Sequence, residues 1–273
     1  MFLLSGLLSA PSGPAQFRDT GDRGNPYASW EKTLTQSAIA PFPELAPFRA
    51  FYRFGWEGIP AGDASVEVTQ GSSSESLRVS AEGGPNPVIR KLWNYHAHYL
   101  GEAGKNGQIP SWFRMDEDVA KGDLLSEASF SEGMTLSCHR FDSEEKPWKV
   151  TLLPGVRDLF AAMLLVRSQP LRDGDRLLLT IFPDQNPYLV ELRVEGRETL
   201  LIREKKIPAI RFSVGVRTVV TSGPEIGRLA PHKKFRSGRV WMSDDARRVP
   251  LRAEVDVFIG SVFAELTKIS PAL

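Results

Sequence analysis

The chain has 273 residues, a length that one large β domain or two small domains can fill, and 41% of them are hydrophobic, with 15 Phe and 6 Trp. Lys and Arg number 34 against 33 Asp and Glu, so a net charge of +1 provides no long-range field for a polyanion, and nucleic acid is not an expected partner. Disorder, collagen, coiled coil and disulfide scaffold are excluded, and the lone Cys138 has no second thiol for a disulfide, a thiolate zinc cluster or a redox pair.

Phe2 to Ala10 is an apolar run too short to span a bilayer; small residues at Gly13 and Ala15 follow it as at a signal-peptidase site, although no Lys or Arg precedes it. The expectation is a signal-peptide remnant over 1–15, a mature chain beginning near Gln16 and a periplasmic or secreted location. No Cys follows the run to carry a lipid, and no later stretch is long enough for a transmembrane helix. Residues 16–47, with Pro26, Pro41, Pro43 and Pro47, read as an extended arm holding at most a short helix within Ser29 to Ala38, capped by Ser29.

A single β-rich domain is expected over 48–268, leaving 269–273 as a tail. Alternating residues around the Glu57 to Gly62 turn form a hairpin, and strand-sized segments recur at Leu77 to Ala81, Tyr95 to Leu100, Trp112 to Val119, Leu124 to Phe130 and Met134 to Phe141. Val156, Leu159, Phe160, Met163, Leu164 and Arg167 fall at helical spacing between Pro154 and Pro170; this predicts one amphipathic helix whose stripe covers a sheet face, with Arg157 and Arg167 near its rim. Strands return at Arg176 to Phe182, Tyr188 to Val194, Leu200 to Arg203, Ile210 to Val220, Gly238 to Met242, Val249 to Phe258 and Ser261 to Leu266, whereas Ser222 to Phe235 reads as a mobile loop. The predicted fold is mostly β: a curved antiparallel meander sheet or half-barrel of about a dozen strands wrapping the helix.

Three segments stand out: Tyr52 to Ala64 (YRFGWEGIPAGDA), Pro154 to Asp158 with the helix and Leu171 to Asp175, and Val240 to Pro250 (VWMSDDARRVP) followed by Ile259 to Ser261. In this order and spacing they resemble the bacterial envelope proteins grouped as domain of unknown function 3108, over about residues 48 to 268. The resemblance implies an exported β-rich domain, similar in outline to the curved sheets that wrap a helix in lipoprotein-carrier proteins, and it brings no catalytic residues. Physical chemistry alone reads the same segments as turns: Gly58 and Gly62 relax a hairpin connection, Asp173 to Asp175 let the chain leave the helix, and Asp244, Asp245 and Arg247 bond locally.

Several constellations could carry chemistry. On a strand, His96, His98 and Glu102 share a face at a spacing similar to the first metal motif of cupins, but Arg90 stands where that motif has glycine, and neither His139 nor His232 supplies a second motif; no metal or other cofactor is expected. Cys138 and His139, as strand neighbours, face opposite ways and form no dyad. The acids Asp116 to Asp118 and Glu144 to Glu145 read as solvated edges rather than paired glycosidase carboxylates. Lys233, Lys234 and Arg236 could hold an anionic group, with a solvated loop as the simpler reading. Trp56, Trp93, Trp112, Phe160, Met163 and Trp241 could line a groove for an apolar or lipid-like ligand, and core packing explains such rings equally well. Two functions follow: an exported non-enzymatic binding or scaffold protein of the envelope, or an enzyme acting on an envelope or extracellular glycan with His or carboxylate groups from separate strands. No catalytic residue can be named for the second.

Overall fold

The computed structural model describes residues 25–35, 47–91, 95–105, 110–119, 122–131, 135–140, 148–151, 153, 155–183 and 186–270; at 110–111, 119, 122–124, 131, 135–140 and 148–151 only the backbone is described. A four-residue helix, α1 (Ala28–Glu31), precedes β1 (Phe48–Trp56), β2 (Ile59–Gln70) and β3 (Ser76–Pro85). After α2 (Pro87–Arg90) come β4 (Tyr95–Gly104), β5 (Pro110–Val119), β6 (Gly122–Ser131), β7 (Thr135–Arg140) and β8 (Trp148–Thr151). Then β9 (Val156–Arg157) leads into α3 (Leu159–Ser168), followed by β10 (Arg176–Ile181), β11 (Tyr188–Ile202), β12 (Lys205–Val219), β13 (Leu229–Pro231), β14 (Phe235–Ser243), β15 (Pro250–Val257) and β16 (Gly260–Ser270).

The strands form one sheet in the order β8-β7-β6-β5-β4-β3-β2-β1-β16-β15-β14-β12-β11-β10-β9, with β13 beside β12. It is mostly antiparallel, β9 with β10 being parallel, and it does not close. The mostly β curved sheet expected from the alternation is therefore present. Pairing of β1 with β16 (Phe54 opposite Ala264, Tyr52 opposite Leu266) joins a first leaf, β1 to β8, to a second, β9 to β16. Period-2 burial drives this arrangement: Ala64, Val66 and Val68 point inward from β2, and Ala97 and Tyr99 from β4. Positive φ at Glu57 (47°) and Gly58 (77°) closes the β1–β2 hairpin as a type I′ turn, whose twist matches the strands. Gly62 has a different role from the one expected. It lies inside β2, where a Cβ would stand 2.4 Å from the Phe54 ring.

Helix α3 starts where Asp158 accepts hydrogen bonds from the backbone N–H groups of Phe160 (2.6 Å) and Ala161 (2.9 Å), satisfying two orphan donors of the first turn. Nine of its ten residues are buried, so the helix is surrounded rather than amphipathic. Phe160, Ala161 and Leu164 join the core cluster that includes the first leaf, while Leu159, Ala162, Leu165 and Val166 join that of the second. Arg157 and Arg167 are buried, not at a rim. Arg167 is accommodated because backbone carbonyls of Arg247 (2.7 Å) and Arg248 (3.1 Å) accept from its guanidinium, which also covers the Phe48 ring at 4.7 Å. Reciprocally, Arg248 donates to the carbonyls of Arg167, Gln169 and Pro170. The Tyr52 hydroxyl donates to the Pro250 carbonyl at 2.9 Å, so the three segments noted in the sequence meet around the end of α3.

Other expectations need correction. The short helix covers Ala28–Glu31 and has no side-chain cap; Tyr27, Trp30 and Leu34 are buried, and the Trp30 indole donates to the Gly227 carbonyl at 3.0 Å. That contact, and pairing of β13 with β12, hold down the stretch read as a mobile loop. The segments at 188–194 and 200–203 are one strand, β11, bent by a bulge between Val194 and Gly196.

Candidate ligand-binding cavity

Between α3 and the second leaf lies an apolar cavity of about 190 Å³. The helix contributes Leu159, Ala162, Met163 and Val166; β10 to β12 contribute branched residues such as Leu179, Val190 and Val216; β1 and β2 close it with Phe48, Phe54 and Val66. The space exists because small residues sit where the wall could have been filled. Ala253 on β15 pairs with Ala264 on β16, which pairs in turn with Phe54 on β1, and both alanines and the phenylalanine line the cavity. The charged lining residue is Arg252, which makes ion pairs with Glu254 and Glu265 (3.5 Å to the latter), and the lining hydroxyl, Tyr52, is already spent on Pro250. Burial pushes the Tyr52 phenol well above its ordinary range, so it stays neutral. Among the described residues no carboxylate or imidazole lines this cavity.

Of the six groove candidates, Met163 lines the cavity and is the half-buried residue of α3. Phe160 is fully buried on the other side, its ring edge-on to Phe113 at 5.5 Å. Trp241 is buried with its indole N–H donated to Glu198; Trp112 is half-buried on β5, and Trp56 stands exposed at the β1–β2 tip. Trp93 lies outside the described residues. The lining residues missed by sequence reasoning, Ala253 and Ala264 above all, carried one signal: small side chains at inward positions of neighbouring strands.

The remaining constellations are dispersed. His96 and His98 are exposed on β4, and His96 lies 3.3 Å from Glu82. Glu102 shares their parity but is buried against the β2–β3 turn, accepting from the Ser72 N–H (2.7 Å), the Ser72 hydroxyl, the Ser76 hydroxyl (2.8 Å) and Arg78 (3.3 Å). Burial pushes its pKa up, but these hydrogen bonds outweigh that and hold it at about 2. Among the described residues no three His, Cys, Asp or Glu side chains converge on a metal position. In the acidic run Asp116 and Asp118 are exposed, but Glu117 is not a solvated edge: it points inward and accepts from the hydroxyls of Tyr95 (2.7 Å) and Tyr99 (2.5 Å). The side chains of Cys138 and His139 and the pair Glu144 and Glu145 fall outside the described residues.

In the basic stretch, His232 is buried and its Nδ1 accepts from the N–H of Phe235 (2.8 Å), while Lys233 and Arg236 are exposed. Burial, then the nearby Lys234, lower the His232 pKa and keep the ring neutral. Asp158, wholly buried, is pushed up to about 6 by desolvation, against the pull of its two helical N–H donors and of Arg157.

Comparison with known proteins follows the fold rather than any chemistry. No curated protein matches the chain. A β-barrel-like protein of domain of unknown function DUF1849 from Brucella abortus is similar to it, with a TM-score of 0.54 at 12% identity over 84% of this chain and 98% of that one. The hypothetical lipoprotein YmcC from Escherichia coli (K12) aligns at 11% identity over 83% of this chain and 86% of its own, with a TM-score of 0.33. The family model described as Protein of unknown function (DUF3108) matches residues 48–267, spanning both leaves and the helix between them, and the chain belongs to that family.

Proposed function

We propose that the protein is an exported, non-enzymatic binding protein of the bacterial envelope that holds an apolar, lipid-like group between α3 and the second leaf. The observation that carries this reading is the cavity itself, about 190 Å³ and lined almost wholly by hydrocarbon. Engineered apolar cavities of roughly 150 Å³ stay dry and bind benzene, so a site of this kind accepts a ring or a short length of acyl chain, which gains about 0.8 kcal/mol per buried methylene. An enzyme would need titratable groups converging on one space; the buried Glu117 and its tyrosines lie in the first leaf, away from this cavity, and are engaged with each other. Export rests on the apolar run at Phe2 to Ala10 and the small residues after it.

The test is a fluorescence titration with N-phenyl-1-naphthylamine. The parent should bind it, and Ala253→Leu with Ala264→Leu should abolish binding while lowering unfolding free energy by no more than about 3 kcal/mol. A parent that binds no probe, or a filled variant that binds as well as the parent, would sink the reading. Export is checked by N-terminal sequencing of protein from native cells, expected to begin near Gln16. A cytoplasmic chain retaining Met1 would contradict it.

A further inference from the structure

Two hairpin tips stand side by side where β1 pairs with β16. At one, Trp56 (39% exposed) and Ile59 (68%) flank the Glu57–Gly58 turn; at the other, Phe258 (72%) and Ile259 (65%) form the two-residue connection between β15 and β16. The tips touch: Glu57 N–H donates to the Ser261 carbonyl at 2.9 Å, and a Cβ on Gly260 would lie 2.8 Å from the Trp56 indole nitrogen. Folding gives no reason for Phe-Ile at a hairpin tip, because such positions favour Gly, Asn, Asp or Ser, and a large exposed ring there costs solubility. A local rule broken without benefit to the fold points to an outside partner.

The surroundings say which partner. Phe258 N–H donates to the Lys234 carbonyl at 3.1 Å, and the Arg236 guanidinium sits 5.7 Å from the Phe258 ring centre. Arg236 is exposed beside the Phe258 ring, and Lys233, also exposed, precedes the Lys234 whose carbonyl holds Phe258; the carboxylates of Glu57 and Asp256 accept from the Ser261 N–H and the Ser237 hydroxyl. Apolar prongs with a guanidinium beside them and an exposed lysine nearby in the chain match a surface with phosphate above hydrocarbon.

We propose that the paired tips dock the protein on an anionic lipid bilayer, with Trp56, Ile59, Phe258 and Ile259 entering the boundary between headgroups and acyl chains while Lys233 and Arg236 meet phosphates. Trp56 suits that depth, its ring being apolar and its indole N–H polar. The proposal stands apart from the cavity reading, since none of these side chains lines the cavity.

Co-sedimentation of the folded protein with vesicles tests it. Binding is expected to phosphatidylcholine vesicles containing about 30% phosphatidylglycerol, and much less to phosphatidylcholine alone or at about 0.5 M salt. Phe258→Ser with Ile259→Ser should lower partitioning about tenfold or more, and Lys233→Gln or Arg236→Gln about fivefold each. The tips are exposed, so thermal unfolding of these variants should match the parent. No binding by the parent, equal binding to both vesicle types, or unchanged partitioning of the Phe258/Ile259 variant would overturn the assignment. So would a parent dimer in sedimentation velocity that the same variant dissolves without affecting vesicle binding, since the tips would then serve a second copy of the chain. Probe binding in the cavity should be unaffected by every tip variant, which keeps the two readings separable.

Discussion

In the first leaf the inward rows opposite α3 carry Tyr99, Phe113 and Met115, all buried, and the Phe160 ring meets Phe113 edge-on. On the side of the second leaf, Ala253 and Ala264 line the cavity together with Ala162 and Met163 of the helix. One ten-residue helix is thus a core element on one side and a cavity wall on the other. The difference lies at a few positions: Phe113 fills the space against Phe160 in the first leaf, whereas Ala253 and Ala264 leave theirs open in the second.

The sharpest way to break this comparison is to make the first side resemble the second. Phe160→Ala removes a fully buried ring from a filled space, so it should cost about 3 to 5 kcal/mol in chemical denaturation and leave intrinsic affinity for an apolar probe in the second leaf unchanged. A cost under about 1 kcal/mol would mean that the first leaf also has slack to collapse.

A smaller effect is expected at the helix start, which follows β9. The Asp158 carboxyl titrates at about 6 in the fold, above its ordinary value of 3.8, so the native state binds the extra proton between those values. Stability from this group is therefore greatest below about pH 4 and declines as pH rises to about 6, by about 2 to 3 kcal/mol at 1.36 kcal/mol per unit. Asp158→Asn keeps a side-chain oxygen to cap Phe160 and Ala161. The stability difference, variant minus parent, should grow across that window and then level off; a difference independent of pH would contradict the assignment.

The strands and their pleat were legible because alternation is local: β2, β4, β15 and β16 show in sequence the same inward positions that are buried in the fold. The surroundings of α3 were not. A stripe at i, i+3, i+4 and i+7 specifies one covered face, whereas Ala161, Ala162, Leu165 and Val166 complete a helix covered all round. Arg167 looked like a rim residue because the carbonyls that receive it lie 80 and 81 residues onward, beyond any local pattern. The cavity was hidden for a related reason. A search for rings finds what fills space, and this cavity depends on Ala253 facing Ala264 across two strands, a matter of register.

Met163 offers the finest discrimination between the two faces. It is half-buried, unlike its helical neighbours, and the side chain lines the cavity. Truncation at a site that already borders open space removes few packing contacts and leaves the new void continuous with the old one, so Met163→Ala should fall at or below the low end of the usual 2 to 5 kcal/mol range. The same truncation strips a flexible, polarizable wall from the ligand's side, so binding of N-phenyl-1-naphthylamine should weaken by roughly tenfold. The informative quantity is the ratio: binding loss exceeding stability loss for Met163→Ala, and the reverse for Phe160→Ala, three positions earlier on the same helix. Equal losses of both kinds in both variants would mean that α3 meets its two leaves in the same way, and the comparison between a filled side and an open one would fail.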